Sequence, residues 1–165
     1  MATTNLSAYN ESDIPSAENM SFGIVVAEWN AHITHTLYEG CIETLVKHGA
    51  DEDEIYTAHV PGSFELVAGA QMIANFHQVD AVICLGCVIK GETEHDIYIN
   101  QAVAKGLMDL TLKFDMPFIF GLLTVNNEAQ AQDRAGGKHG NKGVEAAVTA
   151  IRMVALEGEM EYEDE

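Results

Sequence analysis

Basic side chains are the scarcest feature of this chain. Eight Lys and Arg residues stand against 26 Asp and Glu, a formal net charge of −18 over 165 residues. Duplex nucleic acid and anionic membranes repel such a surface, so neither is expected as a partner. Three cysteines make no disulfide framework, which points to a reducing, cytoplasmic setting. No basic stretch followed by a long apolar one opens the chain, so no signal peptide is expected. The longest apolar run, Ala81–Ile89, is too short to span a bilayer. Neither G-x-x-x-x-G-K-[ST] nor GxGxxG occurs, which argues against a P-loop and against a dinucleotide cofactor. His32, His35, His48, His59, His77 and His139 lack metal-ligand spacing with a carboxylate, read as structural or surface residues, and imply no metal.

What is present suits one globular domain: 47% of residues are hydrophobic and 21% charged. The acid is partly clustered in Asp51–Glu54 and in a tail, residues 157–165, both read as solvated. The few cations are more informative. Lys90, Arg134, Lys138 and Lys142 make half the total and fall beside one polar turn or in one glycine-rich loop. Such a local reversal of sign suits an anionic substrate.

Periodicity divides the chain into alternating elements. Residues 1–21 are polar and aperiodic, and read as a loose arm or a strip that pairs with a neighbouring subunit. Strands are expected at Phe22–Glu28, Glu54–Val60, Asp80–Ile89 and Pro117–Thr124. Helices are expected at Thr34–His48, Ser63–Phe76 with Ser63 as N-cap, Glu94–Phe114, Glu128–Arg134 and Asn141–Leu156. Ala135–Gly140 reads as a loop. The β-α-β-α-β-α-β-α order predicts an α/β domain, residues 22–156, with a four-stranded parallel sheet and helices on both faces. So small a sheet leaves edges and apolar helix faces uncovered, which favours a homo-oligomer.

The chemistry concentrates in Ala81–Asp96. A buried strand gives way at Lys90-Gly91-Glu92-Thr93 to a helix that starts near Glu94. A helix N-terminus offers unpaired N–H groups and partial positive charge to an anion, and glycine lets a ligand approach the backbone. His95 sits where an imidazole can accept a proton at neutral pH. Trp29, the sole tryptophan, follows the first strand, where a flat ring can stack on a heteroaromatic ligand. Cys84 and Cys87 match C-x-x-C, but residues three apart on a strand face opposite ways, so inert burial is expected.

Four stretches resemble the 6,7-dimethyl-8-ribityllumazine synthase family: VPGSFEL at Val60–Leu66, LGCVIKGETEH at Leu85–His95, FGLLT at Phe120–Thr124, and RAGGKHGNKGVEAA at Arg134–Ala147. The resemblance implies a three-layer flavodoxin-like sandwich and a transferase step of riboflavin biosynthesis. That step condenses 5-amino-6-(D-ribitylamino)uracil with 3,4-dihydroxy-2-butanone 4-phosphate and releases phosphate and water. No cofactor is implied. His95 would transfer protons. Gly91, Glu92, Thr93 and Lys138 would face the phosphate, with Arg134 from an adjacent subunit. Trp29 would stack on the pyrimidine, where many members of the family carry Phe. Ser63, Phe64, Glu65, Cys87, Val88 and Ile89 would line the ribityl and pyrimidine site, with Phe120 from the neighbour. The family forms pentamers, and the short GGKHGN loop resembles members that build a 60-subunit icosahedral shell, with riboflavin synthase a candidate partner. Two other readings are a shell protein without catalysis and a monomeric flavin binder.

Overall fold

The computed structural model describes residues 5–163. Its sheet is parallel, in the order β2-β1-β3-β4, from β1 (Phe22–Ala27), β2 (Ile55–Val60), β3 (Ala81–Ile89) and β4 (Phe118–Val125). Between and after them run α1 (Ala31–Lys47), α2 (Leu66–Phe76), α3 (His95–Phe114), α4 (Glu128–Arg134) and α5 (Lys142–Glu163). The alternating pattern predicts this parallel sheet, and the whole is the flavodoxin-like sandwich that the resemblance implies.

The central strands are apolar on both faces because both are covered. Phe22, Ile24 and Val26 of β1 join Ile83, Leu85 and Cys87 of β3 under Leu37 and Leu45 of α1 and Ala147 and Ile151 of α5. On the opposite face, Val25, Val82 and Cys84 pack with Leu66 and Ala70 of α2 and Val103 and Leu107 of α3. The two cysteines of C-x-x-C thus lie in different cores, and all three thiols are free and buried. Burial pushes Cys87 up to about 12, with the Glu128 charge adding to it, and raises Cys41 and Cys84 as well.

Several expectations are corrected. Ser63 does not cap α2. It is a buried member of a short 3-10 turn, Ser63–Glu65, and the Glu65 carboxylate accepts from Gly62 N–H at 3.1 Å instead. Ala135–Gly140 is not an open loop. β5 (Ala135–Gly137) pairs antiparallel with β6 (Gly140–Asn141), with Gly136 and Gly140 at positive φ and Lys138 and His139 at the tip. α5 runs on to Glu163 instead of stopping near Leu156, so the acidic stretch from Glu157 continues the helix.

Residues 1–4 of the arm lie outside the described residues, and the rest is not loose. Leu6 N–H donates to His139 O (2.6 Å), Asn141 N–H to Ser7 Oγ (2.8 Å), and Ala17 N–H to His48 O (2.8 Å). Lys47 pairs with Glu11, and Ala17 is fully buried. Within the described residues, no helix is long and apolar enough to cross a membrane.

Candidate functional site

In a 2-1-3-4 sheet the chain leaves β1 towards one side for β2 and returns past it to the other for β3. The crevice beyond the carboxyl ends of β1 and β3 is therefore the topological switch point, where open α/β sheets receive ligands. A cavity of about 280 Å³ opens there. Trp29 and Asn30 line it after β1, Cys87, Val88 and Ile89 at the end of β3, Gly91 and Thr93 in the following turn, and His95, Asp96 and Ile99 on α3. Ser63 adds to it from the turn ahead of α2.

The separation of the strand ends is visible in the ladder. β1 pairs with β3 only as far as Val26↔Leu85, whereas β3 continues beside β4 to Ile89↔Val125. Beyond Leu85 the Asn30 side chain takes over, Nδ2 donating to Cys87 O at 2.9 Å. Trp29 N–H donates to Pro61 O at 3.0 Å. Its ring lies over Gly62, where an added Cβ would come to 2.5 Å from Cε3 and 2.7 Å from Cζ3. The ring is held from below yet two-thirds exposed (66%), a large apolar face available for stacking. Gly86 plays a similar part beneath Ser63, since a Cβ there would lie 2.8 Å from Ser63 Oγ.

The turn from Lys90 to Glu94 is tied to β4 by Lys90 N–H donating to Val125 O at 2.8 Å. Thr93 and His95 are exposed, and His95 is the first residue of α3, so both meet the cavity at the positive end of a helix dipole. The arrangement joins an exposed aromatic ring, a polar turn and an imidazole in one cleft. Proton transfer beside an anion subsite is the chemistry it can support.

Of the residues singled out from sequence, Trp29, Ser63, Cys87, Val88, Ile89, Gly91, Thr93 and His95 line the cavity. Phe64 is an exposed neighbour, Glu65 holds the Gly62 amide, and Glu92 lies exposed in the turn. Phe120, Arg134 and Lys138 do not line it. Phe120 sits exposed on the edge strand β4, Arg134 Nη1 donates to Gln130 O at the end of α4 (3.1 Å), and Lys138 is at the exposed hairpin tip. Asn30, Asp96 and Ile99 were missed. Asn30 had a faint signal, an amide residue between a strand end and a helix. A larger groove of about 500 Å³ lies between the ends of α3 and α5. Leu112, Met116, Met153, Leu156 and Met160 line it, with Asp115 and Glu157 its charged groups, so it offers an anion no positive partner.

A sequence model of the 6,7-dimethyl-8-ribityllumazine synthase family matches residues 19–157. The chain is 56% identical over 154 residues to the 6,7-dimethyl-8-ribityllumazine synthase of Cytophaga hutchinsonii, covering 93% of this chain and 96% of that protein. It is 53% identical over 156 residues to the synthase of the same name from Parabacteroides distasonis, covering 93% and 98%. The figure is 50% over 159 residues for that of Porphyromonas gingivalis, covering 95% and 99%.

Proposed function

The chain belongs to the 6,7-dimethyl-8-ribityllumazine synthase family, and from that premise we propose that it makes the lumazine in the cavity between the ends of β1 and β3. Its activity is that of a lumazine synthase in riboflavin biosynthesis. The substrates are 5-amino-6-(D-ribitylamino)uracil and 3,4-dihydroxy-2-butanone 4-phosphate.

The pyrimidine stacks on Trp29, with Ser63, Phe64, Glu65 and Cys87–Ile89 around it and its ribityl chain. The butanone phosphate enters at Gly91, Glu92 and Thr93, over the N-terminus of α3. His95 moves protons as the amine attacks the ketone, phosphate leaves and water is lost. Holding two reactants together supplies much of the acceleration. The remaining positive charge comes from Arg134 and Lys138 of a neighbouring subunit, which also contributes Phe120. This completes the site only in an assembly: pentamers, twelve of them forming a 60-subunit shell, with riboflavin synthase the candidate protein partner. Large apolar side chains left exposed on the single chain support assembly, among them Met72 and Phe76 of α2 and Tyr98, Met108 and Leu112 of α3. The catalytic unit is the domain of residues 22–156, with the arm before it and the acidic end beyond.

One observation carries this reading: Trp29 and His95, 66 positions apart, open on the same cavity at the switch point. Incubating the protein with both substrates should produce the absorbance and fluorescence of a lumazine. His95→Ala should lower kcat on the order of a hundredfold or more. A folded assembly that forms no lumazine overturns the proposal.

A further inference from the structure

We propose that Asn30 is a positioning residue of the pyrimidine site, its side-chain amide setting the gap between the Trp29 ring and the Cys87–Ile89 backbone. The inference rests on the reading above that this gap receives the pyrimidine.

Asn30 has φ 61° and ψ 43°, in the left-handed region. Few residues other than glycine adopt that conformation readily, and Asn is one of them. Glycine would serve the backbone at no steric cost, so the conformation alone does not account for the amide. Helix capping does not account for it either. The residue stands at the N-cap of α1, where an Asn side chain commonly accepts from the helix, yet this side chain makes no capping bond. The backbone carbonyl receives Ile33 N–H at 2.8 Å and Thr34 N–H at 3.0 Å. The side chain turns away and donates to Cys87 O, 57 positions on in the sequence.

That bond spans the place where the β1–β3 ladder has ended and nothing in the strand pairing fixes the two ends. Trp29 precedes Asn30 directly, and Cys87 opens the segment Cys87–Ile89, which lines the same cavity as the ring. A shift of the strand ends moves the stacking plane relative to the groups that meet the edge of the pyrimidine. His95 and the turn at Gly91–Thr93 are anchored elsewhere, through α3 and β4, so the phosphate subsite does not depend on this bond.

The test compares wild type with Asn30→Gly, which keeps the left-handed backbone and removes the amide. It also uses Asn30→Asp, which keeps the shape and turns a carboxylate oxygen towards the Cys87 carbonyl. Trp29 is the only tryptophan, so quenching of its emission by 5-amino-6-(D-ribitylamino)uracil alone reads binding directly. Half-saturation, and KM for this substrate, should rise about tenfold in both variants. KM for the butanone phosphate and the pH profile of kcat should stay within about twofold. Unchanged half-saturation in either folded variant overturns the proposal. So does an equal rise in both KM values, or failure of both variants to fold, which would leave Asn30 a structural residue only. A wild-type protein that makes no lumazine defeats the functional reading instead, and the fluorescence titration still decides on Asn30.

Discussion

Gly91 is a glycine whose missing side chain the packing of the fold does not require. A Cβ built there meets nothing within 4 Å, and its backbone is outside the positive-φ region that L side chains avoid. Gly91→Ala should therefore fold normally, and even gain about 0.5 kcal/mol from the stiffer unfolded chain. The added methyl projects at the turn that is proposed to hold phosphate, so KM for the butanone phosphate should rise, on the order of tenfold, with KM for the pyrimidine unchanged. Thermal unfolding and paired KM measurements check both halves, and an unchanged phosphate KM would remove Gly91 from the subsite. At this scale the sequence showed much of the cavity. Trp29 lies just past the carboxyl end of one strand, and His95 opens the helix that follows another, positions that the apolar runs and the turn between them reveal. Asn30 stayed hidden because its partner is the Cys87 carbonyl. Identifying that partner requires knowing that β1 and β3 are neighbours, which local pattern does not state. Asp96 and Ile99 were obscured in the same way, since they face the cavity only once α3 is docked.

At the scale of elements, the strands were legible because each is an apolar run bounded by turn residues, while right-handed crossovers narrow the possible sheet orders without selecting one. The hairpin β5–β6 was not, because five of its seven residues, Ala135 to Gly137, Lys138 and Gly140, are small or flexible and carry no alternation. What shapes it is the arm, whose Leu6 and Ser7 bond to His139 and Asn141 across more than 130 positions. The end of α5 was misjudged because a run of acids reads as solvated whether or not it is helical. The join between α1 and α5 is the most exacting contact among these elements. A Cβ at Gly143 would sit far inside the van der Waals distance of Leu37 O, and close to Asn141 Oδ1. Asn141 in turn is buried, donating to Thr36 O at 2.9 Å and accepting from Gly143 N–H at 2.8 Å. Backbone cannot step aside as a flexible side chain does. Gly143→Ala should force the helices apart and cost about 3 kcal/mol, at the upper end for overpacking. Chemical denaturation checks it, and a variant as stable as wild type would show that α1 and α5 separate freely.

For the whole molecule, the distribution of positive charge poses the problem. With 8 cationic side chains against 26 acidic ones, a phosphate needs cations close by, yet Arg134 and Lys138 lie away from the cavity of their own chain. Their delivery by a neighbour requires a head-to-tail interface, in which one surface of each subunit meets a different surface of the next. That geometry makes a prediction about mixtures. His95→Ala subunits retain Arg134 to donate, and Arg134→Ala subunits retain His95. Each homogeneous assembly should be nearly inactive, the second chiefly through weak phosphate binding. When the two are co-expressed or reassembled together in equal amounts, about a quarter of the sites should combine an intact His95 with a neighbour's intact Arg134. Activity should thus return to roughly a quarter of wild type, and should fall again as either variant is placed in excess. If both residues acted within one chain, no mixture would contain a complete site, and activity would stay at the level of the separate variants. Pre-formed assemblies that do not exchange subunits are the control: mixed after assembly, they should show no recovery, so any recovery there would point to a contaminant rather than to shared sites.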